Sequence, residues 1–92
     1  MIKTFNNKRT EQLFGGQCHA SFRAFRRAAE RKLAMIDAAT SLEDLLSPPG
    51  NRLEALYGDR AGQHSIRINK QWRVCFVWHE GHAYDVEIVD YH

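Results

Sequence analysis

The chain has 92 residues, of which 43% are apolar and 26% are charged. These values fit one small globular domain over residues 1–92 and exclude a disordered or fibrous protein. The longest apolar run, residues 74–78, is far shorter than the roughly 20 residues of a membrane span. The start of the chain lacks the apolar stretch of a secretory signal, so we expect a cytoplasmic protein.

The formal net charge is only +2, but it is unevenly distributed along the chain. Residues 1–33 carry eight basic and two acidic side chains, a balance of +6, whereas residues 34–92 carry five basic and nine acidic ones, a balance of −4. This asymmetry indicates two charged surfaces with different partners, one of them suited to a polyanion. A solvated helix surface would give the same counts.

Helical patterns dominate the first half of the chain. Residues 2–5 alternate apolar and polar, as a short strand would, and residues 10–14 suit a short helix that Gly15 and Gly16 end. Residues 20–39 predict a long helix, because their apolar residues recur at three- and four-residue steps. This apolar stripe consists of Phe22, Phe25, Ala29, Leu33 and Ile36.

A capping box and a proline pair mark the middle of the chain. Ser41 and Asp44 have the spacing of a capping box that opens a short helix over residues 42–46. Pro48 and Pro49 end it, since proline lacks an N–H donor and disfavours helix in the residue before it.

In the second half of the chain, apolar residues recur at every second position. Residues 64–69, 72–78 and 84–89 alternate between apolar or aromatic and polar side chains, which predicts strands joined by hairpins at 69–71 and 79–83. Residues 53–56 can add another strand before the turn at Gly58.

The predicted fold class is therefore α+β, with N-terminal helices packed on an antiparallel β-sheet. One sheet face would be core, and the other is predicted to be too polar for core and available for a site. The core face would hold Ile66, Ile68, Trp72, Val74, Phe76, Val86 and Ile88, and the polar face Arg67, Arg73, Cys75, Asp85 and Glu87.

Cysteine chemistry is poorly supported. Cys18 and Cys75 form no CxxC pair, which favours two reduced thiols, with Cys75 buried as a small hydrophobe. Cys75, His79 and His82 give only three ligands, two of them in a hairpin, whereas structural zinc normally takes four. We expect no metal ion and no other cofactor.

Three side chains capable of proton transfer or orientation close the chain. His92 can act as acid or base near neutral pH, Tyr91 can donate a proton or stack on a base, and Asp90 can orient either. An ordinary polar terminus is the alternative interpretation of this ending.

Arg73 is the natural companion of that ending, because its strand is expected to pair with the last one. A guanidinium binds phosphate through two donors and stabilises charge that develops in phosphoryl transfer. Arg52, Arg60 and Arg67 can extend a cationic track. With no phosphate loop and no paired-carboxylate metal site in the sequence, phosphodiester cleavage would proceed by attack of the substrate's own 2′-hydroxyl, which restricts the substrate to RNA.

Several segments together resemble one known family, the HigB-type toxins, which are plasmid-maintenance killer proteins of the RelE/ParE superfamily. The resemblance covers essentially the whole chain. The segments that carry it are Arg31-Lys32-Leu33, Ser47-Pro48-Pro49-Gly50-Asn51-Arg52-Leu53-Glu54, Leu56-x-Gly58-Asp59-Arg60-x-Gly62, Ser65-Ile66-Arg67-Ile68-Asn69, Gln71-Trp72-Arg73 and Val86-Glu87-Ile88-Val89-Asp90-Tyr91-His92.

The resemblance implies a RelE-like microbial RNase fold, with helices on a curved antiparallel sheet. It also implies a ribosome-dependent mRNA interferase that cuts the codon in the 30S A site and so arrests translation and growth. The partner would be a HigA-type helix-turn-helix antitoxin. This antitoxin would contact operator DNA, so that the toxin is linked to the DNA only indirectly. By position, Arg73 would stabilise the phosphate charge, and Asp90, Tyr91 and His92 would form the C-terminal catalytic group.

Two positions depart from the best-studied type of family member, which has a histidine and a lysine before the Gly58 turn. Glu54 and Tyr57 stand there instead; Glu54 can serve as general base and Tyr57 can stack on a base, but neither restores the cationic charge. Arg52 or Arg60 is expected to compensate. Two rival functions stay open, a ParE-like inhibitor of DNA gyrase and a non-catalytic module that binds RNA or an antitoxin.

Overall fold

The computed structural model describes residues 1–90, in which helices precede a four-stranded sheet as the sequence predicts. The α-helices are α1 (Lys8–Phe14) and α2 (Arg26–Ala38), and the strands are β1 (Glu54–Ala55), β2 (His64–Arg67), β3 (Trp72–His79) and β4 (His82–Asp90). Short 3₁₀-helices cover Ala20–Phe25, Leu42–Leu46, Pro49–Asn51 and Gly58–Arg60. No helix within these 90 residues is long and apolar enough to cross a bilayer.

The sheet is antiparallel, with the strands in the order β1-β2-β3-β4. The two predicted hairpins are confirmed, since β2, β3 and β4 are joined by short turns. The strand predicted over residues 2–5 is reduced to two parallel bridges, Ile2 to Ala83 and Phe5 to Val86, along the outer edge of β4. These bridges cover an edge that would otherwise expose unpaired backbone groups.

Helix α1 is joined to β4 through one buried side chain. The helix begins where the Asn7 side chain accepts the N–H of Thr10 at 2.9 Å. The Thr10 hydroxyl, which is fully buried, then accepts the N–H of Ile88 at 3.0 Å. The short helix predicted before Gly15 is confirmed, and this bond fixes it against the end of the sheet.

The long helix predicted over residues 20–39 is interrupted. A 3₁₀-helix runs up to Phe25, whose φ of −129° and ψ of 24° are not helical, and α2 follows it. The break has a packing reason, because it lets both Phe22 and Phe25 reach Trp72, with ring centroids 5.7 and 4.9 Å apart. Tertiary packing of aromatic rings thus overrides the helical propensity of the segment.

The core lies between the helices and one face of the sheet. The apolar stripe is confirmed: four of its five residues are buried, and Phe25 is half-buried. On the sheet, five of the seven predicted core residues are buried, and Ile68 and Trp72 are half-buried against them. The buried cluster consists of Ile2, Leu13, Phe22, Ala29, Leu33, Ile36, Ala39, Leu45, Ile66, Val74, Phe76, Ala83, Val86 and Ile88.

The opposite sheet face is more buried than predicted. Ser65 and Cys75 are 0% exposed and Arg73 is 7% exposed. The expectation that this face is too polar for core is therefore wrong for its centre. The reason is that the segment after the proline pair folds over it, with the Arg52 carbonyl on Arg73 and the Arg60 side chain on Glu87.

The regular alternation predicted over residues 84–89 is also wrong at one point. A register shift opposite residues 75–77 gives β4 one extra residue, and Asp85 takes a positive φ of 53° there. Such a bulge reverses the side-chain alternation of a strand. Tyr84 consequently pairs with Val77, and Val86 returns to the core.

Candidate active site and nucleic-acid interface

Arg73 lies at the centre of the polar face, on β3 between two neighbouring strands. Its Cα pairs with that of Arg67 on β2 and with that of Val89 on β4. Its Nε donates to the Ser65 hydroxyl at 2.8 Å, and its Nη2 donates to the Arg52 carbonyl at 2.6 Å and the Ser65 carbonyl at 3.3 Å. The guanidinium is therefore held in one orientation by the fold itself.

Glu54 also lies near this guanidinium. Its Oε1 lies 3.9 Å from the Arg73 Nη2, and its side chain is 51% exposed. The Glu54 side chain is thus partly open to solvent, and its carboxylate lies near a nearly buried cation. A carboxylate in this position can accept a proton from a bound substrate, which fits the role of general base.

Asn51 anchors the loop that carries Arg52 and Glu54. Its side-chain amide is 0% exposed and donates to the carbonyls of Leu45 at 3.2 Å and Ser47 at 3.4 Å. Its Oδ1 accepts from the Lys32 ammonium at 2.5 Å. Burial, followed by the charge of a neighbouring arginine, lowers the pKa of Lys32.

Arg52 follows directly with φ of 45° and ψ of 57°, a left-handed conformation that is uncommon for a residue with a side chain. Such strain persists where surrounding contacts determine the backbone. Here those contacts are the Asn51 amide on one side and the Arg73 guanidinium on the other. The backbone of the loop is thus fixed at both ends of the strained residue.

These elements form a cleft of about 200 Å³, which we call the basic cleft. Of residues 1–90, four cationic side chains and one carboxylate line it, a local charge of +3 that suits a phosphodiester. The structure brings together four of the residues that the sequence singles out and adds two that it does not. The lining residues are Arg52, Glu54, Arg67, Asn69, Lys70 and Arg73.

The two added residues lie in the β2–β3 turn. The Asn69 side chain shapes it, because its Oδ1 accepts the N–H groups of Gln71 and Trp72, each at 2.9 Å. The Asn69 carbonyl accepts from the Nε of Arg67 at 3.1 Å. The signal was present in the sequence, since a hairpin between the strands of Arg67 and Arg73 must place its turn beside both.

Arg60 and Tyr57 lie outside the lining of the cleft. Arg60 Nη1 is bound by Glu87 Oε1 at 2.9 Å and by Gln63 Oε1 at 3.1 Å, which ties the loop to β4. Tyr57 is 86% exposed, so its ring is available to stack on a base. Of the two candidates for charge compensation, the structure brings Arg52 and not Arg60 into the cleft.

The C-terminal group is described only as far as Asp90; Tyr91 and His92 lie outside the described residues. Asp90 pairs with Trp72, and its Oδ2 accepts from the Gln71 side chain at 2.9 Å. Since Arg73 pairs with Val89, side-chain alternation places Asp90 on the other face of the sheet from Arg73. Strand β4 nevertheless ends directly beside the cleft.

Both cysteines are free thiols, as predicted, and Cys75 is fully buried. Burial raises the pKa of the Cys75 thiol, which keeps it in the unreactive protonated form. Within residues 1–90, no three His, Cys, Asp or Glu side chains are grouped so that they could hold a metal ion.

A second basic surface lies on the helices. Arg23, Arg27 and Arg31 are exposed and spaced four residues apart, and we call them the helix-side basic face. One shallow surface depression joins Arg23 to Arg27, and a neighbouring one joins Arg27 to Arg31. This continuous row accounts for part of the positive charge of residues 1–33.

Comparison with known proteins gives concordant results. Residues 3–92 match the family model of HigB-like toxins, described as the RelE-like toxin of the type II toxin–antitoxin system HigB. Toxin HigB-1 of Vibrio cholerae is 53% identical over 53 residues, which cover 58% of this chain and 56% of that protein. An uncharacterised protein of Haemophilus influenzae is 48% identical over 46 residues, 50% of this chain and 46% of that protein. These two matches thus span about half the length of each relative.

Another relative is matched along its whole length. Endoribonuclease HigB of Proteus vulgaris is 35% identical over 94 residues, all of both chains. Among solved structures, a YoeB–YefM complex from Staphylococcus aureus matches with a TM-score of 0.61 and 17% identity, over 100% of this chain and 98% of that one. At that identity the likeness concerns the fold, and it confirms the predicted arrangement of helices on an antiparallel sheet.

Proposed function

The chain belongs to the HigB-like family of RelE-like toxins, and from this premise we propose that it is an endoribonuclease that cuts messenger RNA in the ribosomal A site. The observation that carries the proposal is the buried Arg73 guanidinium, held by three hydrogen bonds inside a cleft of charge +3. Fixed donors of this kind stabilise charge that develops on a phosphate, because they need no reorganisation during the reaction.

The reaction would be a metal-independent transesterification. The 2′-oxygen of the substrate attacks the adjacent phosphorus, the bond to the 5′-oxygen breaks, and a 2′,3′-cyclic phosphate is left. A base takes the 2′-hydroxyl proton, and an acid gives a proton to the departing 5′-oxygen. Arg73 would stabilise the non-bridging oxygens, to which Arg67 would add charge, and Arg52 would bind the RNA backbone nearby.

The proton transfers are assigned by position and chemistry. Glu54 is the carboxylate of the basic cleft, and its half-exposed side chain fits the base. His92 would act as the acid, with Tyr91 as its rival, and Asp90 would orient the end of the chain. Tyr57 would stack on a nucleobase, and Arg60 would support the site through Glu87.

The partners follow from the family and the charge. We propose a HigA-type helix-turn-helix antitoxin and the 30S ribosomal subunit as partners in the cytoplasm. The helix-side basic face would bind phosphates of ribosomal RNA, since three exposed arginines in a row make sequence-independent contacts to a backbone.

One experiment tests the nuclease. Wild type, Arg73→Ala, Tyr91→Ala and His92→Ala are added to translating ribosomes, and the ends of the mRNA are mapped. We expect A-site cuts from wild type and strong losses from the variants. Arg9→Ala is the matched control, because Arg9 is exposed on α1 and does not line the cleft.

The outcomes separate the rival functions. If wild type makes no ribosome-dependent cuts, the nuclease is refuted, and cuts that persist in all three variants refute the site. A parallel supercoiling assay with DNA gyrase tests the ParE-like alternative, for which we expect no inhibition.

A further inference from the structure

The four cations of the basic cleft fall into two kinds. Arg67 and Arg73 are held by hydrogen bonds to backbone or side-chain oxygens. Arg52 and Lys70 are exposed, and within residues 1–90 neither side chain forms a hydrogen bond or an ion pair. The cleft thus contains two fixed guanidinium groups and two cationic groups that have no partner within residues 1–90.

The backbones that carry these two groups are nevertheless fixed. The Arg52 carbonyl is bound by Arg73, and the turn of Lys70 is closed by the Asn69 side chain. A cation without a partner keeps its hydration until an anion arrives, and the fixed backbone keeps it at the cleft. Such an arrangement suits the binding of a ligand that comes and goes, whereas the held guanidinium groups suit the reacting group.

Charge balance points to an anionic ligand as well. Glu54, the carboxylate of the cleft lining, lies 3.9 Å from Arg73 and is already engaged with that cation. Among the described residues, no further carboxylate of the lining is left to neutralise Arg52 and Lys70. Two loops that are distant in sequence, residues 49–53 and 69–71, bring these uncompensated charges to one cleft of about 200 Å³.

We propose that Lys70, together with Arg52, forms a second phosphate subsite, which binds the phosphodiester next to the scissile one in single-stranded RNA. The identity of the substrate rests on the proposed function. An ammonium binds phosphate as a point charge, and phosphate contacts position a strand without reading its sequence. Lys70 is then a substrate-binding residue that sets affinity, whereas Arg73 sets the rate.

The direct test measures the binding of an RNA oligonucleotide with 2′-O-methyl riboses, which cannot undergo 2′-hydroxyl attack. Fluorescence anisotropy gives the Kd of wild type, Lys70→Gln and Lys8→Gln between about 50 and 200 mM salt. Lys8 is an exposed lysine of α1 outside the cleft and serves as the matched control. We expect Lys70→Gln to lower the salt slope by about 0.7, the value of one phosphate contact on a single strand.

The contrary results are equally defined. If wild type does not bind the oligonucleotide, or if Lys70→Gln keeps the wild-type slope, the subsite is refuted. If Lys8→Gln lowers the slope as much as Lys70→Gln, the effect is one of general charge and the subsite is refuted too.

A kinetic test separates this inference from the nuclease itself. On programmed ribosomes, Lys70→Gln is expected to raise KM several-fold and to keep kcat within about twofold. A loss of kcat as large as that of Arg73→Ala would place Lys70 at the reacting phosphate and overturn the subsite. Wild type that binds the oligonucleotide but does not cut mRNA would refute the nuclease and leave the subsite standing.

Discussion

The basic cleft and the helix-side basic face carry positive charge in two different ways. In the cleft, Arg73 is 7% exposed and makes three hydrogen bonds to a neighbouring strand and loop. On the helices, Arg23, Arg27 and Arg31 are exposed to solvent. Salt largely screens the interaction of exposed charges that are more than about 10 Å apart, but it screens the interaction of a buried charge much less.

The difference indicates that the two regions have separate roles, the cleft in the chemical step and the helices in binding. A guanidinium that is already oriented can stabilise a transition state at no further cost in ordering. Flexible arginines on a helix have to be ordered by each ligand, so they steer and hold a polyanion without contributing to the chemical step. If this comparison is right, mutations in the two regions should affect different measurements.

The largest effect is expected for Arg73→Ala. Removal of a preorganised donor typically lowers kcat by about 10²- to 10³-fold. The Ser65 hydroxyl and the Arg52 carbonyl also lose a partner, which should cost about 1–3 kcal/mol of the free energy of unfolding. Cleavage rates on ribosomes and urea denaturation measure the two losses separately.

Arg73→Lys tests whether the positive charge of residue 73 is sufficient for its role. The variant keeps the charge but cannot reproduce the contacts of Nε and Nη2 together. We expect most of the loss in kcat to persist. Recovery of the wild-type rate would show that charge alone suffices, and the contrast between the two basic regions would then fail.

Asn51→Ala tests whether the cleft depends on its anchored loop. The change removes the buried amide and leaves the carbonyls of Leu45 and Ser47 and the Lys32 ammonium without this partner. We expect a loss of about 2–3 kcal/mol in the free energy of unfolding and a lower kcat, because Arg52 and Glu54 lose their position. Denaturant unfolding and the ribosomal cleavage assay measure these effects.

Gln17→Ala is the control for that variant, since Gln17 is an exposed residue outside the cleft. Its free energy of unfolding should stay within about 0.5 kcal/mol of the wild-type value. An Asn51→Ala protein that is as stable and as active as this control would show that the loop needs no anchor.

The helix-side basic face should respond in the opposite manner. Replacement of Arg23, Arg27 and Arg31 together by Gln should change the free energy of unfolding by less than about 0.5 kcal/mol. The affinity for ribosomes should fall about tenfold, and the salt slope by about one unit for each lost phosphate contact. At saturating ribosomes we expect kcat to be unchanged. A fall in kcat would contradict the separate roles of the helices in binding and the cleft in the chemical step.

The parts of this molecule that depend on local sequence could be predicted. The helix before Gly15, the capping box at Ser41 and the two hairpins each have a signal within a few residues, and all were confirmed. The break at Phe25 could not be predicted, because Phe25 packs on Trp72, which is distant in sequence. The bulge at Asp85 could not be predicted either, because the extra residue shows only in the register of β4 against β3.

The same distinction between local signals and long-range contacts applies to the candidate site. Arg73 was predicted as a member of the site from its strand and its chemistry, but its burial depends on the Arg52 carbonyl, which comes from a loop 21 residues away. Lys70 was missed because a turn lysine is ordinarily solvated, and its significance appears only when the two loops lie side by side. The roles of these residues in catalysis stay predictions.

The smallest effect concerns Asp44, an exposed charge that is held by local backbone and not by burial. Its Oδ2 accepts the N–H groups of Thr40 at 2.9 Å and Ser41 at 3.3 Å. These bonds lower the pKa of Asp44 below its usual 3.8 in the folded state. A depressed carboxyl pKa stabilises the fold above the unfolded-state value, and this stabilisation is lost as pH falls through the folded-state value.

The matched variant is Asp44→Asn, which keeps the size of the side chain and removes its titration. We expect wild type to be slightly more stable than the variant at pH 6 to 7, where the stabilisation is fully present. The difference should begin to fall below about pH 4 and should vanish once pH is below the folded-state pKa. Urea denaturation of both proteins across that range measures it. If the stability difference between the two proteins does not change with pH, the charge of Asp44 does not contribute to stability. Asp44 would then resemble the solvated arginines of the helices, whose charge does not stabilise the fold, and not Arg73.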